Sequence, residues 1–209
     1  MRRQKTTDDR GQAHTVEAFI AALLLISGLL FAMQATAVTP LSASTSNQHI
    51  ENQQRAVAHD LLATAADDGS LEEAVLYWNA SDGGFQDSPD AGYYTNAGSQ
   101  NEFLESLNHT LRERRIAYNV RIRYHNTTGD EPRVRTQRMV EMGQPSDNAV
   151  TASRTVTLSE QHRLTGDDDS TLAEVTNSEG KSFYAPDADP EPEGQLYNRL
   201  EVRITTWRM

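Results

Sequence analysis

The residues that most often carry enzyme chemistry are scattered along this 209-residue chain. No glycine-rich phosphate loop follows a predicted strand, and neither a G-x-S-x-G nor an H-E-x-x-H sequence occurs. The six histidines include no pair at the i, i+4 spacing that would place two metal ligands on one helix face. Serine, histidine and aspartate are all present, but no spacing points to a catalytic triad. We therefore expect a protein that is not an enzyme and that uses no cofactor and no metal ion.

One acidic segment has the residue types of a calcium site. The stretch "GDDDS" at residues 166–170 offers carboxylates, with Asp167 at its centre. The spacing of an EF-hand loop is missing, so a hydrated acidic loop is the preferred interpretation. The chain contains no cysteine, which excludes disulfides, thiolate zinc sites and cysteine nucleophiles.

The overall charge is strongly negative. Acidic residues outnumber basic ones by 30 to 19, the formal net charge is -11, and the only lysines are Lys5 and Lys181. Dispersed carboxylates with little lysine suit a surface that stays hydrated in concentrated salt, so we expect a halophilic origin. Because this balance leaves no basic face to neutralise phosphates, we predict that no nucleic acid is bound.

An apolar run near the N-terminus predicts a membrane-spanning helix. No charged residue occurs from Ala18 to Val38, and at about 1.5 Å per residue such a helix covers about 31 Å, the thickness of bilayer hydrocarbon. Four basic residues lie within the first ten positions, and the next one after the run is Arg55. The positive-inside rule then predicts a cytoplasmic N-terminus and an extracellular remainder. A cleaved secretory signal is the competing interpretation, because small residues follow the run in "ATAVTPLSAS".

Glu17 immediately precedes this run. A carboxylate in hydrocarbon is disfavoured by roughly 2.5–3.5 kcal/mol even on lenient insertion scales, so Glu17 needs either a charged partner or access to the interface. In the second case its side chain extends to the cytoplasmic headgroups at little cost.

The sequence "RGQ", followed by a glutamate and a long apolar helix, resembles the class III signal of archaeal type IV pilins and archaellins. Residues 10–60, about a quarter of the chain, are also similar to uncharacterised haloarchaeal pilin-like membrane proteins. The resemblance implies that a prepilin peptidase cleaves within Gly11, Gln12 and Ala13. It also implies that Glu17 is an assembly residue, which pairs with the N-terminal amine of a neighbouring subunit. Cleavage after Gln12 makes Glu17 the fifth mature residue, whereas cleavage after Gly11 makes it the sixth.

The same resemblance bears on three Asn-x-Ser/Thr sequons, because archaeal surface filaments are commonly N-glycosylated. The sequons begin at Asn79, Asn108 and Asn126. Asn79 lies at the edge of a predicted loop and is the best acceptor, whereas Asn108 lies inside a predicted helix and is the poorest.

Helices are predicted in the first half of the chain beyond the apolar run. Pro40 predicts a break or kink near Thr39, after which a helical stripe resumes. Capping-box spacings that begin at Ser70 and Ser99 predict two further helices. The expected core residues of the resumed helix are Ile50, Val57 and Leu61, with Ala58, Leu62 and Ala65 beside them, and those of the last helix are Phe103, Leu104, Leu107 and Leu111.

Strands are predicted in the second half, where apolar and polar residues alternate. Four such segments cover residues 115–126, 132–142, 148–160 and 198–209. Helices followed by strands predict an α+β fold with helices packed on an antiparallel sheet of about four strands, which is also the general plan of type IV pilins. Residues 80–100 and 165–195 are expected to be irregular, the latter as a long acidic exposed loop.

The expected organisation is a cytoplasmic basic leader (1–12), a transmembrane helix (13–39) and an extracellular acidic head (40–209). The expected function is that of a pilin-like structural subunit of the cell surface, such as a minor pilin or pseudopilin. Its partners would be the membrane, other pilin-like subunits and a prepilin peptidase. The alternative is an unprocessed, signal-anchored extracellular domain that binds a ligand of unknown identity.

Overall fold

The computed structural model describes residues 5–89, 91–95, 101–127, 133–166, 168–188 and 195–208, with side chains except at 5–13 and 34–47. The chain divides into two compact units, Met1–Ile50 and Glu51–Met209, and helix α1 (Lys5–Asp67) contributes residues to both. The remaining elements of the C-terminal unit are α2 (Ser70–Leu76), β1 (Trp78–Asn79), β2 (Gly84–Phe85), α3 (Glu102–Thr110), a 3₁₀ turn (Arg112–Arg114), β3 (Ile116–Asn126), β4 (Arg133–Glu141), β5 (Val150–Ser159), α4 (Leu172–Asn177) and β6 (Leu196–Arg208).

The N-terminal unit is built on the first part of α1. Of the break or kink predicted near Thr39, a break does not occur, because α1 runs through Pro40. A proline removes one backbone donor, but the turns on either side of it keep their own hydrogen bonds. Within this unit, His14–Met33 has the length and composition of a membrane span.

The four long strands form one antiparallel sheet in the order β4-β3-β6-β5. The two central strands are in a register that pairs Val120 with Ile204 and Ile122 with Val202, and all four side chains are buried. Strands β4 and β5 follow each other in sequence but lie at opposite edges of the sheet. The four predicted strands are therefore confirmed.

Helices of the C-terminal unit pack on the face of the sheet that carries these buried residues. In α1 the buried side chains are Ala58, Leu62 and Ala65, whereas Val57 and Leu61 are only partly buried. The predicted helical period is thus correct, but the buried face is centred on Ala58 and Leu62 and not on Val57 and Leu61. The four apolar residues predicted for α3 are buried as expected: Phe103, Leu104, Leu107 and Leu111. The fold is α+β, as predicted.

The helix starts differ from the predicted capping boxes. Gly69, at φ 86°, occupies the N-cap position of α2, so Ser70 is the first helical residue and caps nothing. Instead, the Asp68 carboxylate accepts a hydrogen bond from the Ser70 backbone amide at 2.9 Å. The N-cap of α3 is Asn101, whose side chain accepts from the Leu104 amide at 2.9 Å, and Ser99 lies outside the described residues.

The segment predicted as an exposed loop, 165–195, contains a helix and part of the core. Helix α4 begins with a complete capping box between Thr171 and Glu174. Its Leu172 and Val175 are buried, and so are Phe183 and Ala185 further along. The prediction was wrong because it relied on the acidic composition of the segment. The segment also contains a Thr-x-x-Glu spacing, which indicates a helix start.

Residues 80–100 also contain regular structure. Strands β1 and β2 pair as a hairpin, and Gly84 lies so close to Gly92 that an added Cβ would be 2.8 Å from the Gly92 Cα. Tyr94 is buried and extends the sheet, because its amide donates to the Met139 carbonyl at 2.9 Å. Tyr94 thus covers an edge of the core, whereas the ring of Tyr93 packs against the guanidinium of Arg138.

Candidate functional site

The apolar segment of α1 is the most distinctive feature of the N-terminal unit. His14–Met33 comprises 20 residues with a mean hydropathy of 2.3, and none of the segment is buried by the protein itself. Phe31 and Leu25 are each 75% exposed. A helix of this length spans about 30 Å, so it is long and apolar enough to cross a bilayer. A signal sequence near an N-terminus has the same length and composition.

Glu17 has a partner within its own helix. The His14 Nδ1 lies 3.6 Å from the Glu17 Oε2, one turn away, and both side chains are more than 80% exposed. An ion pair at the i, i+3 spacing forms when the histidine is protonated. Gly11, Gln12 and Ala13 lie within α1, and their side chains are outside the described part of the structure. The predicted cleavage there stays a prediction.

The three sequon asparagines are all partly buried. The Asn79 Oδ1 accepts from the backbone amides of Ser81 and Asp82, which makes an Asx turn, and its Nδ2 donates to the Asp82 carboxylate at 2.8 Å. Asn108 lies in α3, as expected, and accepts from the Tyr118 hydroxyl at 3.1 Å. Asn126 ends β3, and the Thr128 of its sequon lies outside the described residues. Glycosylation at these positions stays a prediction.

The structure brings together a serine, a histidine and a glutamate that the sequence separates. The Ser159 hydroxyl lies 2.6 Å from the His162 Nδ1, and the His162 Nε2 lies 3.2 Å from the Glu72 carboxylate. Nucleophilic catalysis requires a histidine lone pair that can take the serine proton. Here the backbone amide of Ser159 donates to the same Nδ1 at 2.8 Å. The three residues are therefore better explained as a structural link between the end of β5 and α2.

The acidic segment at 166–170, which has the residue types of a calcium site, is paired with a lysine from further along the chain. Asp168 accepts hydrogen bonds from the amide and the hydroxyl of Ser170, and its other oxygen lies 2.9 Å from the Lys181 Nζ. These contacts, the Ser170 hydroxyl first and Lys181 second, lower the pKa of Asp168. A carboxylate satisfied in this way has little need of a metal. Asp167 lies outside the described residues, within which no three His, Asp or Glu side chains are grouped as metal ligands.

Two open grooves adjoin α3. One, of about 490 Å³, runs between α3 and the second half of α1, and is lined by Leu61, Asp68 and Glu102 among others. The other lies along the outer side of α3 and includes His109, whose Nδ1 is 3.1 Å from Glu113. Both residues of that pair are largely exposed. Neither groove has the buried, convergent polar groups expected of an active site.

Sequence reasoning missed a concentration of arginine on the sheet. Strands β3 to β6 carry nine of the 19 basic residues of the chain but only two of its 30 acidic residues. Strand pairing places five of these arginines on one face of the sheet: Arg121, Arg123, Arg138, Arg199 and Arg203. The expectation that no basic face exists is therefore wrong, although the predicted absence of a nucleic-acid partner is not tested by this finding. The alternation of Arg121 and Arg123 with apolar residues in the sequence indicates that both arginines lie on one face of a strand. The prediction considered only the net charge of the whole chain and missed this local pattern.

Comparison with known proteins places the chain in a family. No curated protein and no solved structure matches the chain. Residues 10–206 match a family of unknown function, DUF7288, and this match covers the apolar helix, the helical layer and all four long strands. Since the match extends over nearly the whole chain, the protein belongs to the DUF7288 family of unknown function.

Proposed function

We propose that this protein is a pilin-like structural subunit of the cell surface, anchored in the membrane by His14–Met33 and without enzymatic activity. The observation that carries the proposal is the composition of α1 (Lys5–Asp67). Its first part is apolar and exposed, and its last part supplies Ala58 and Leu62 to the core of a head with a four-stranded antiparallel sheet. This order of an apolar helix, a core-packed helix and an antiparallel sheet is the plan of type IV pilins that the N-terminal sequence also resembles.

The distribution of charge supports an orientation with the head outside the cell. The residues before the apolar segment include Arg2, Arg3, Lys5 and Arg10, whereas the segment is followed by no basic residue before Arg55. Translocation favours the cytoplasmic retention of basic flanks, so the acidic head would lie on the exterior. An extracellular head without cysteine depends on packing alone, and the continuous apolar core beneath the sheet meets this need.

Glu17 is the proposed assembly residue. In a membrane, its carboxylate would be stabilised by an ammonium group, and the new N-terminus of a processed neighbour would supply one. The His14 imidazole at 3.6 Å is the competing partner within the same helix. That contact favours the second candidate function, an unprocessed anchored domain that binds an extracellular ligand, because it satisfies Glu17 without any neighbour.

N-terminal sequencing and intact mass of the protein from its native membrane separate the two candidates. A mature N-terminus at Gln12 or Ala13 is expected for a processed pilin-like subunit. Retention of the first residues would contradict processing and favour the anchored binding domain.

A pair of variants tests the role of Glu17. Glu17→Ala should reduce the amount of protein assembled at the cell surface by roughly tenfold while the amount in the membrane stays unchanged, because the buried ion pair between subunits is lost. His14→Ala is the matched control and should assemble normally. Equal behaviour of Glu17→Ala and wild type would argue against the pilin-like function.

A further inference from the structure

The outer face of the sheet, opposite the helices, carries polar side chains over most of its length and ends in the buried pair Ala117 and Trp207. Residues on the two central strands alternate between the core and this face, so Arg121 and Arg203 point away from the buried Val120 and Ile204. Strand β5 contributes small hydroxyl side chains to this face. Its Ser153 lies opposite Arg203, and the alternate residues Thr155 and Thr157 lie on the same side. We name this surface the arginine face and define it by Arg121, Arg123, Arg138, Arg199, Arg203, Glu141, Glu201, Ser153, Thr155 and Thr157.

Two glutamates neutralise only part of the arginine face. Glu141 binds Arg121 at 2.8 Å, and Glu201 lies 3.1 Å from Arg123. Glu201 also lies 3.3 Å from the Arg203 Nε, but that buried nitrogen makes no hydrogen bond to any described residue. The face therefore carries more positive charge than its own carboxylates balance.

Two further arginines on this face have no carboxylate partner among the described residues. Arg138 contacts the ring of Tyr93, with its Cζ 4.5 Å from the ring centroid, and Arg199 is exposed on β6. An aromatic ring attracts a guanidinium through a cation–π interaction, but it does not neutralise the positive charge.

The arrangement of these arginines is unfavourable for an isolated head. Arg138, Arg121 and Arg203 are direct neighbours across three strands. Like charges placed directly opposite each other destabilise a sheet. An anionic partner on the arginine face would remove this repulsion.

The same head carries a matching acidic surface. The α-helical residues of the C-terminal unit include one arginine, Arg55, and eight carboxylates: Glu51, Asp60, Asp67, Glu72, Glu73, Glu102, Glu105 and Glu174. These helices lie on the other side of the sheet from the arginine face, because Leu62 and Leu104 share a core with Val120 and Val202. We name this surface the acidic helical face.

We propose that the arginine face of one copy docks on the acidic helical face of a second copy. The two surfaces are complementary in charge and lie on opposite sides of one head. A contact between two different surfaces is head-to-tail and leaves a free surface of each kind at its ends, so it propagates as an open chain unless the rotation closes a ring. This inference rests on the proposed function, for which it supplies the contact between heads.

The experiment compares the full-length wild-type protein in nanodiscs with two triple variants that change charge equally. Arg138→Gln, Arg199→Gln and Arg203→Gln together remove three charges from the arginine face. Arg112→Gln, Arg114→Gln and Arg115→Gln remove three exposed charges next to the acidic helical face, where Arg112 and Arg114 line the grooves beside Glu102. Self-association is measured by mass photometry at low and high salt, after circular dichroism has shown that both variants are folded.

We expect the wild type to associate at low salt and less at high salt, because salt screens exposed charges. The arginine-face variant should associate at least tenfold more weakly than wild type, whereas the control should associate at least as tightly as wild type, because it makes the acidic helical face more negative. Equal effects of the two variants, or no association of wild type, would overturn the inference. Binding of an anionic vesicle or an oligonucleotide by the arginine face without self-association would overturn it in favour of another anionic partner.

Single cysteines distinguish a head-to-tail contact from a two-fold contact, since the chain has no native cysteine. Thr155→Cys lies on the arginine face and Glu105→Cys on the acidic helical face. When the two variants are mixed with a bismaleimide, mixed dimers should exceed either homodimer. A dominant Thr155→Cys homodimer would overturn the inference. Normal processing and surface exposure with no contact between heads would leave the proposed function intact, whereas a protein without a membrane anchor would contradict that function.

Discussion

At the scale of single residues, carboxylates in the head are satisfied by nearby donors. Asp168 accepts from Ser170 and binds Lys181, and Asp68 accepts from the amide of Ser70. In both cases the hydrogen bonds to serine lower the pKa of the carboxyl group. Such contacts are local, and through them the acidic side chains of loops stabilise the backbone.

Asp168→Asn tests this interpretation. The substitution removes the ion pair with Lys181, so the free energy of unfolding at pH 7 should fall by roughly 0.5–1 kcal/mol. Because the native pKa of Asp168 is lowered, its contribution is complete above the ordinary pKa of about 3.9 and is lost as the pH falls through the native value.

Guanidinium unfolding of the full chain, followed by tryptophan fluorescence at pH 7 and at several values below pH 4, measures this difference. The gap between Asp168→Asn and wild type should narrow as the pH decreases. Asp169→Asn is a control, because Asp169 is largely exposed and its carboxylate lies 3.5 Å from the guanidinium of Arg163. A gap that is independent of pH would contradict the assignment.

At the scale of elements, the last part of α1 joins the apolar segment to the head. Its buried side is narrow and consists mainly of alanine, with Leu62 as the largest buried side chain. Small residues allow the helix axis to lie close to the sheet, so a single large side chain carries much of the contact area. The neighbouring Leu61 faces the groove between α1 and α3 and is only partly buried.

Leu62→Ala and Leu61→Ala therefore form a matched pair. Leu62→Ala should reduce the free energy of unfolding by about 2–5 kcal/mol, because it leaves a cavity in the core. Leu61→Ala removes the same atoms from a partly solvated groove and should cost less than half as much. Chemical denaturation of the full chain in detergent measures both, and equal losses would show that the helix face is assigned incorrectly.

At the scale of the whole molecule, charge is sorted by element. The strands are arginine-rich, the helices are acidic, and the apolar segment of α1 is uncharged from Ala18 to Met33. This distribution can serve membrane anchoring and contact between heads at once, which a uniformly acidic surface could not do.

Site-specific labelling tests the proposed orientation. A membrane-impermeant maleimide should label Ser146→Cys in intact cells, because this residue is exposed between β4 and β5 and lies outside both proposed docking surfaces. Thr6→Cys should be labelled only after permeabilisation, or not at all when the leader has been removed. The opposite pattern would reverse the topology, and the cysteine-free wild type provides the background signal.

Much of the fold was predictable because its signals are local. The alternation in 115–126 and 198–209, and the apolar period of α3, arise from neighbours in sequence and identified the elements correctly. The hairpin of β1 and β2 and helix α4 were missed, since short elements carry weak periodic signals. Their place in the core depends on distant contacts, such as that of Trp78 in β1, whose Nε1 donates to the Ser182 carbonyl at 2.8 Å.

The sequence by itself determined the apolar segment, the position of Glu17 before it and the α+β order of elements, because each depends on composition or periodicity along the chain. Only the tertiary structure decided which residues meet. Strand pairing placed Arg138, Arg121 and Arg203 in one row, and packing brought Glu72 to His162. Contacts between distant residues are set by the register of strands and the packing of helices, and no local pattern in the sequence contains that information.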